Sequence, residues 1–190
     1  MEVEWEVPHE NRPAPRPLLL VQAFINTRDL EQDTDRLVEA KDAHEWLTKA
    51  GLWTTKRVPS SEELKTGRYV REALRQVLVA NHAGTRPSTK TLRVLRSFAG
   101  AARLRIDADD PNHLAVVPLN PGMDAVLVSL LTIVHDSQLD GSWQRLKACA
   151  NPECSSVFFD RSHSRQSMWC EMKVCGNRLK NRRYRQRSAH

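Results

Sequence analysis

Cysteine is missing from the first 148 residues of this 190-residue chain, and all four cysteines fall between positions 149 and 175. The body therefore has no disulfides to staple it and must be held by apolar burial. No apolar run approaches the roughly 20 residues that a membrane span requires. The longest near the start, residues 18–21, follows Pro13, Pro15 and Pro17 and an acidic terminus. A secretory signal wants a basic start and a longer apolar stretch, so the expected compartment is the cytoplasm, with no membrane partner. Acid is nearly absent from the end of the chain. Residues 161–190 hold nine Lys/Arg against Glu171 alone, a net +8, which leaves −2 for residues 1–160. No internal repeat is visible. A composition of 40% hydrophobic and 27% charged residues is that of an ordinary globular protein.

Periodicity and punctuation divide the chain. Residues 1–17, with four prolines, read as a flexible arm. Residues 18–27 form a buried helix or strand, since a short apolar run is compatible with both. Asp42 and Glu45 predict a capping box before Trp46 and Leu47, with Gly51 as the stop. Ser60 and Glu63 predict another, opening a helix to about His82 with Val70, Leu74, Val77 and Leu78 on one face and Gly84 at its end. Ser88 starts a helix carrying Leu92, Leu95 and Phe98, closed by Gly100. Leu104 and Ile106 alternate with Arg103 and Arg105, then a turn-rich 109–112 precedes an apolar run ending at Pro118, which reads as a β-hairpin. Asn120-Pro121 caps a helix with Val126, Leu127, Leu130, Leu131 and Val134 as its stripe. The apolar stripes of residues 18–140 suggest a self-sufficient, mainly helical domain, with a hinge at Asp140-Gly141-Ser142 and a separate module in 141–190. The expected class is α+β.

The cysteines follow C-x4-C-x15-C-x4-C, two short pairs separated by a loop. Each pair can present two thiolates to one side of a tetrahedral ion, and Asn151-Pro152 and Gly176-Asn177 supply the turns such knuckles need. Cys149, Cys154, Cys170 and Cys175 are accordingly the expected ligands of one structural zinc. Disulfides fit poorly with a reduced compartment, and a redox switch that ejects zinc uses the same thiolates. His163, in the intervening loop, is expected at the surface. The module's only large apolar residues are Trp143, Leu146, Val157, Phe158, Phe159 and Trp169, so metal should supply much of its folding energy. Strands at 145–149 and 157–159, then a helix from about Cys175 to Arg187, give a treble-clef-like finger. Zinc with four thiolates carries about −2, which nearby arginines offset.

Cys175-Gly176-Asn177-Arg178, with the first cysteine pair, Phe159-Asp160, Ser162, Arg165, Trp169-Cys170, Met172 and Lys180, resembles the CGNR zinc-finger family of bacteria. Phe24-Ile25-Asn26-Thr27 and Trp46-Leu47 are similar to features of the ABATE domain that accompanies that finger. The resemblance implies a stress-response transcription regulator whose finger binds DNA. One departure is that Ser167 and Met168 precede the Trp-Cys pair, where family members commonly carry basic residues.

The charge asymmetry independently suggests a polyanionic partner, with Arg165, Arg178, Lys180, Arg182, Arg183, Arg185 and Arg187 as candidate contacts to double-stranded DNA. On a helix Arg178, Arg182 and Arg185 share one face, while Arg183 and Arg187 share another. RNA binding and a protein-interaction adaptor are the alternatives. The body could take a small-molecule effector, form a homodimer, or both. No enzyme is expected: Asp107, Asp109, Asp110 and His113 read as turn chemistry, His135-Asp136 as a helix-terminal pair, and four cysteines leave zinc no open position.

Overall fold

The computed structural model describes residues 10–101, 103–110 and 113–188. At its centre lies α1 (Leu18–Asn26), in which Leu18, Leu20, Val21, Gln22, Ala23, Phe24 and Ile25 are all buried. A segment buried on every side must satisfy its own backbone polar groups, and a helix does so without a sheet on either flank. This settles the ambiguity of the short apolar run. A two-residue ladder, β1 (Arg28–Asp29) with β2 (Thr34–Asp35), leads to α2 (Ala40–Lys49). The long α3 (Ser61–Ala83) and α4 (Thr89–Ala101) follow, then the antiparallel pair β3 (Leu104–Asp110) and β4 (His113–Pro118). The chain continues through α5 (Met123–Leu139), the hairpin β5 (Leu146–Ala148) and β6 (Val157–Phe159), and α6 (Asn177–Ser188).

The α3 cap is as expected: Ser60 Oγ accepts from the Glu63 N–H, Glu63 returns the bond to the Ser60 N–H, and Gly84 ends the helix at φ 65°. Three boundaries differ. Helix α2 begins at Ala40 without a side-chain cap, leaving Asp42 inside the first turn, where its charge still suits the helix dipole. Helix α4 runs through Gly100 to Ala101. Helix α5 starts after Gly122 rather than at Asn120-Pro121. Glu63 is the reason for the last: besides its cap it takes two bonds from the Arg57 guanidinium (2.6 and 2.7 Å) and one from the Met123 N–H (3.2 Å). A Cβ on Gly122, at φ 110°, would lie 2.5 Å from Glu63 Oε1, so only glycine permits this approach.

The expected boundary at Asp140 is not a boundary in packing. Gly141 turns the chain at φ 76°, but Trp143 is buried directly afterwards, and Trp143, Leu146, Ala148, Val157 and Phe159 belong to the same core cluster as α1, α3 and α5. β5 packs on α3 and β6 on α1. The hairpin of the presumed appendage thus completes the interior of the body. Part of the expected flexible arm is also fixed: Ala14 is buried, and its N–H donates to Gln22 Oε1 at 2.7 Å. Residues 1–9 of that arm lie outside the described residues.

Glu63 predicts an acid-side effect. Its carboxyl is held down to about 2, first by Arg57 and then, against burial, by the Ser60 and Met123 amides. A depressed folded-state pKa gives stability that is present above the ordinary value, about 4.5, and lost as pH falls towards 2. Thermal melts of wild type and E63Q should therefore converge as the pH falls from about 5 towards 2, because only the wild type loses this contribution on acidification. A constant difference across that range would show that the carboxylate's charge contributes nothing.

Candidate metal centre and basic helix

The four cysteines converge. All four are buried, and their sulfurs lie within 4.8 Å of one another. Cys154 Sγ stands 3.6 Å from Cys170 Sγ, which stands 3.7 Å from Cys175 Sγ. A tetrahedron with zinc–sulfur bonds of about 2.3 Å has edges of about 3.8 Å, so the spacing fits one zinc ion. The β5–β6 hairpin supplies the first pair across its turn, where the Cys154 N–H bonds Asn151 O and the Cys149 N–H bonds Ser156 O. In the second pair Cys170 precedes a π-helical turn, Met172–Gly176, and Cys175 lies within it, just before α6. Gly176 is needed here because a Cβ would meet Met172 Sδ at 2.5 Å and Trp169 Cδ1 at 3.1 Å. The expected order of knuckle, hairpin and ligand-bearing helix is what the chain forms.

The donor chemistry calls for a cation. The Cys154 and Cys170 thiols share protons with Cys149 and, helped by the Cys170 and Asn151 amides, pull Cys149 down to about 2. The same sharing with Cys149 pushes Cys154 up to about 12 and Cys170 upward as well. Four clustered thiolates are tolerable only around a positive ion, whose binding releases the retained protons. Burial lowers the Arg75 pKa, with Glu72 and, last, Cys154 acting against it; the Arg178 pKa is raised, first by Glu31 and last by Cys175 and Cys154.

Side chains from elsewhere hold this finger in place. Asn26 donates to Val157 O at 2.9 Å and accepts from Val157 N–H at 2.8 Å, pairing with β6 as a strand would. Gln22 adds a bond to Val157 O, and His82 Nδ1 meets Ala148 O at 2.8 Å. Buried Arg75 donates to Ser155 O at 2.6 Å in the first knuckle and to Ile25 O at 2.7 Å at the end of α1. Asp160, fully buried, gathers Lys147 Nζ (2.8 Å), the Ser162 hydroxyl and N–H, the Ser167 N–H and Arg12. Burial alone would raise its pKa; these donors, Lys147 foremost, bring it well below the usual carboxylate range. Arg12 also lies over the Phe158 ring, 4.7 Å from its centre. Sequence reading named none of these as contacts, although Asn26 and Asp160 stood among the residues of the family resemblance. Nothing short-range marks a helix amide as the partner of a strand 131 residues away.

The candidate nucleic-acid residues separate into groups. Arg178 forms an ion pair with Glu31 at 2.6 Å, and Arg182 one with Glu153 at 2.8 Å, so this face of α6 looks back onto the protein. Arg165, Lys180 and Arg185 are exposed; the backbone of Arg165 is left-handed, at φ 53°, with its carbonyl accepting from Lys147. Arg183 and Arg187 are helical, and their side chains lie outside the described residues. His163 is at the surface as expected. Asp107, Asp109, Asp110 and His113 lie on β3 and β4, with Asp110 paired to His113. A polar cleft of about 410 Å³ opens between the end of α1, the β1–β2 turn and the finger, with Asn26, Arg28, Glu31, Trp46 and Cys154 in its lining.

The fold and the sulfur cluster define a zinc-finger protein whose finger is built onto a helical body. Residues 145–188 match the model of the CGNR zinc finger, and residues 19–137 match that of ABATE, described as "Putative stress-induced transcription regulator". The second match spans more than half of the chain, which therefore belongs to the ABATE family, with a CGNR finger following in the order read from the sequence. No curated protein matches the chain. Among the described residues no helix is long and apolar enough to cross a membrane.

Protein purified without added metal should contain about one zinc per chain by elemental analysis. Cys175→Ser should lower that content and, because the hairpin shares the body's core, also lower the midpoint of helix unfolding. Metal-free protein with four freely titrating thiols would contradict the assignment.

Proposed function

We propose that this protein is a zinc-finger transcription regulator that holds double-stranded DNA through the outward face of α6. The observation that carries the reading is the asymmetry of charge together with its placement. The +8 segment is mounted on a fixed finger, and the acids Glu31 and Glu153 occupy one face of its helix. At about 100° per residue, positions 180, 183 and 187 share the ridge roughly opposite Arg178 and Arg182. Lys180 is exposed there, and the sequence places arginine at the other two. Such a ridge suits phosphates, and planar guanidinium groups can also read guanine edges in the major groove. Arg165 would extend the contact, while exposed Arg185 lies on the Arg178 side of the helix.

Four cysteines fill a tetrahedron and leave zinc no position for substrate, so the reading assigns the metal a structural role and the protein no catalysis. A reducing compartment, the bacterial cytoplasm, keeps the thiols available. For a regulator's input, the cleft beside Trp46 is the natural seat of a small effector, since a ligand there would touch both body and finger. A homodimer would present two ridges to two half-sites.

Affinity for a random duplex should fall with salt, log K dropping about 0.9 per phosphate contacted, for a slope of about −3 to −5 per chain. The variant K180A/R183A/R187A should flatten the slope by up to about 2.7 with zinc retained. R178A/R182A should move it less, since those cations must first leave Glu31 and Glu153. A folded, zinc-loaded protein that binds no duplex at low salt rejects the DNA reading. Binding to structured RNA alone would favour RNA, and binding to neither would favour the adaptor.

A further inference from the structure

The β3–β4 hairpin carries its apolar residues on the wrong side for a monomer. Leu104, Ile106 and Val116 point the same way, with Leu104 opposite Pro118 and Ile106 opposite Val116, and they are 51%, 71% and 60% exposed. β4 packs on α5, whereas β3 has β4 as its single strand neighbour, and residues 103–106 are exposed on both faces. A two-stranded ribbon with an open edge is marginal in water, and the regular stretch of this edge, up to the register shift after Asp107, exposes apolar residues to which another strand can add. The backbone is set for one. The Arg103 carbonyl turns towards β4 to accept the Leu119 N–H at 2.8 Å, so by strand alternation Leu104 and Ile106 direct their amide and carbonyl groups to the outer edge.

The order of charges says what fits that edge. From position 103 the strand reads Arg-Leu-Arg-Ile-Asp-Ala-Asp, basic before Ile106 and acidic after it. An antiparallel copy of the same strand, centred on Ile106, sets Arg105 against Asp107 of the second chain and Asp107 against its Arg105. Leu104 then faces Ala108, and the two Ile106 residues exchange both backbone hydrogen bonds. Arg105 and Asp107 already share a face, 3.3 Å apart within one chain, so they need only trade partners. On the other face, Val116, Ile106 and their counterparts form one continuous apolar row. An in-register parallel copy sets like against like, and a shift by two residues sets Arg105 against Arg105 or Asp107 against Asp107.

We infer that β3 is a homodimer interface, joining two chains into a four-stranded antiparallel sheet about a twofold axis through Ile106. The inference does not depend on the DNA reading, because a dimer can form whatever the finger binds. Sedimentation velocity of the full zinc-loaded chain over a concentration series tests it. Wild type should dimerise. R105D sets acid against acid, and D107R base against base, at two equivalent positions, so each alone should weaken dimerisation about tenfold or more. An equimolar mixture of R105D and D107R restores both pairs and should dimerise like wild type, as should the double variant R105D/D107R. Circular dichroism and zinc content of each variant should match wild type, which separates loss of the interface from loss of the fold. A wild type that stays monomeric at every concentration overturns the proposal. So do single variants that dimerise unchanged, or a mixture that remains monomeric.

Discussion

Asn26 pairs both backbone groups of Val157, and the placement of everything after residue 140 follows from that contact. A side-chain amide offers one donor and one acceptor at the spacing of a peptide, so a helix end can act as the neighbouring strand of a short hairpin. β6 is three residues long and paired on one side by β5; its other edge would otherwise face the interior with polar groups unmet. Leaving such groups unpaired costs about 1–3 kcal/mol each. Thr27, the next residue, bonds Arg71, which is itself bonded twice to Asp35. The start of the β1–β2 turn is fixed in the same stroke.

The consequence is a finger with a defined aim. Arg75 ties the first knuckle to the end of α1 and Arg12 ties the segment before α1 to the loop around Asp160, while Glu31 and Glu153 flank α6. The two exposed ion pairs contribute little to stability, as surface pairs generally do. They occupy Arg178 and Arg182 on one face, while Lys180 on the other side of the helix is exposed. Zinc held by the four sulfurs would join the hairpin to the turn that leads into α6, so the helix would take its orientation from the core of the body.

Much of this was legible in the sequence, and the reasons separate cleanly. The zinc ligands, the hairpin at 104–118 and the Ser60 cap were readable because each depends on residues close in sequence. Helix ends at Asp42, Gly100 and Asn120 were misplaced, the last because its position depends on a tertiary partner, Glu63 reaching Met123. The two family matches divide the chain around Asp140, but the packing does not, for a related reason. A small module with few apolar residues reads as one that leans on its metal, yet Leu146, Val157 and Phe159 sit in the interior of the body. The inward turn of Arg178 and Arg182 was equally hidden, since Glu31 and Glu153 lie far from them along the chain.

Body and finger are therefore held to be one cooperative unit, and unfolding watched by two probes tests that most directly. Helical circular dichroism reports the body, and zinc release to a chromophoric chelator reports the finger, across one denaturant titration of the full chain. If the core is shared, the two transitions coincide in midpoint and slope. Zinc lost at a clearly lower denaturant concentration, with helical signal still at its native level, would contradict the shared core and restore an independent finger.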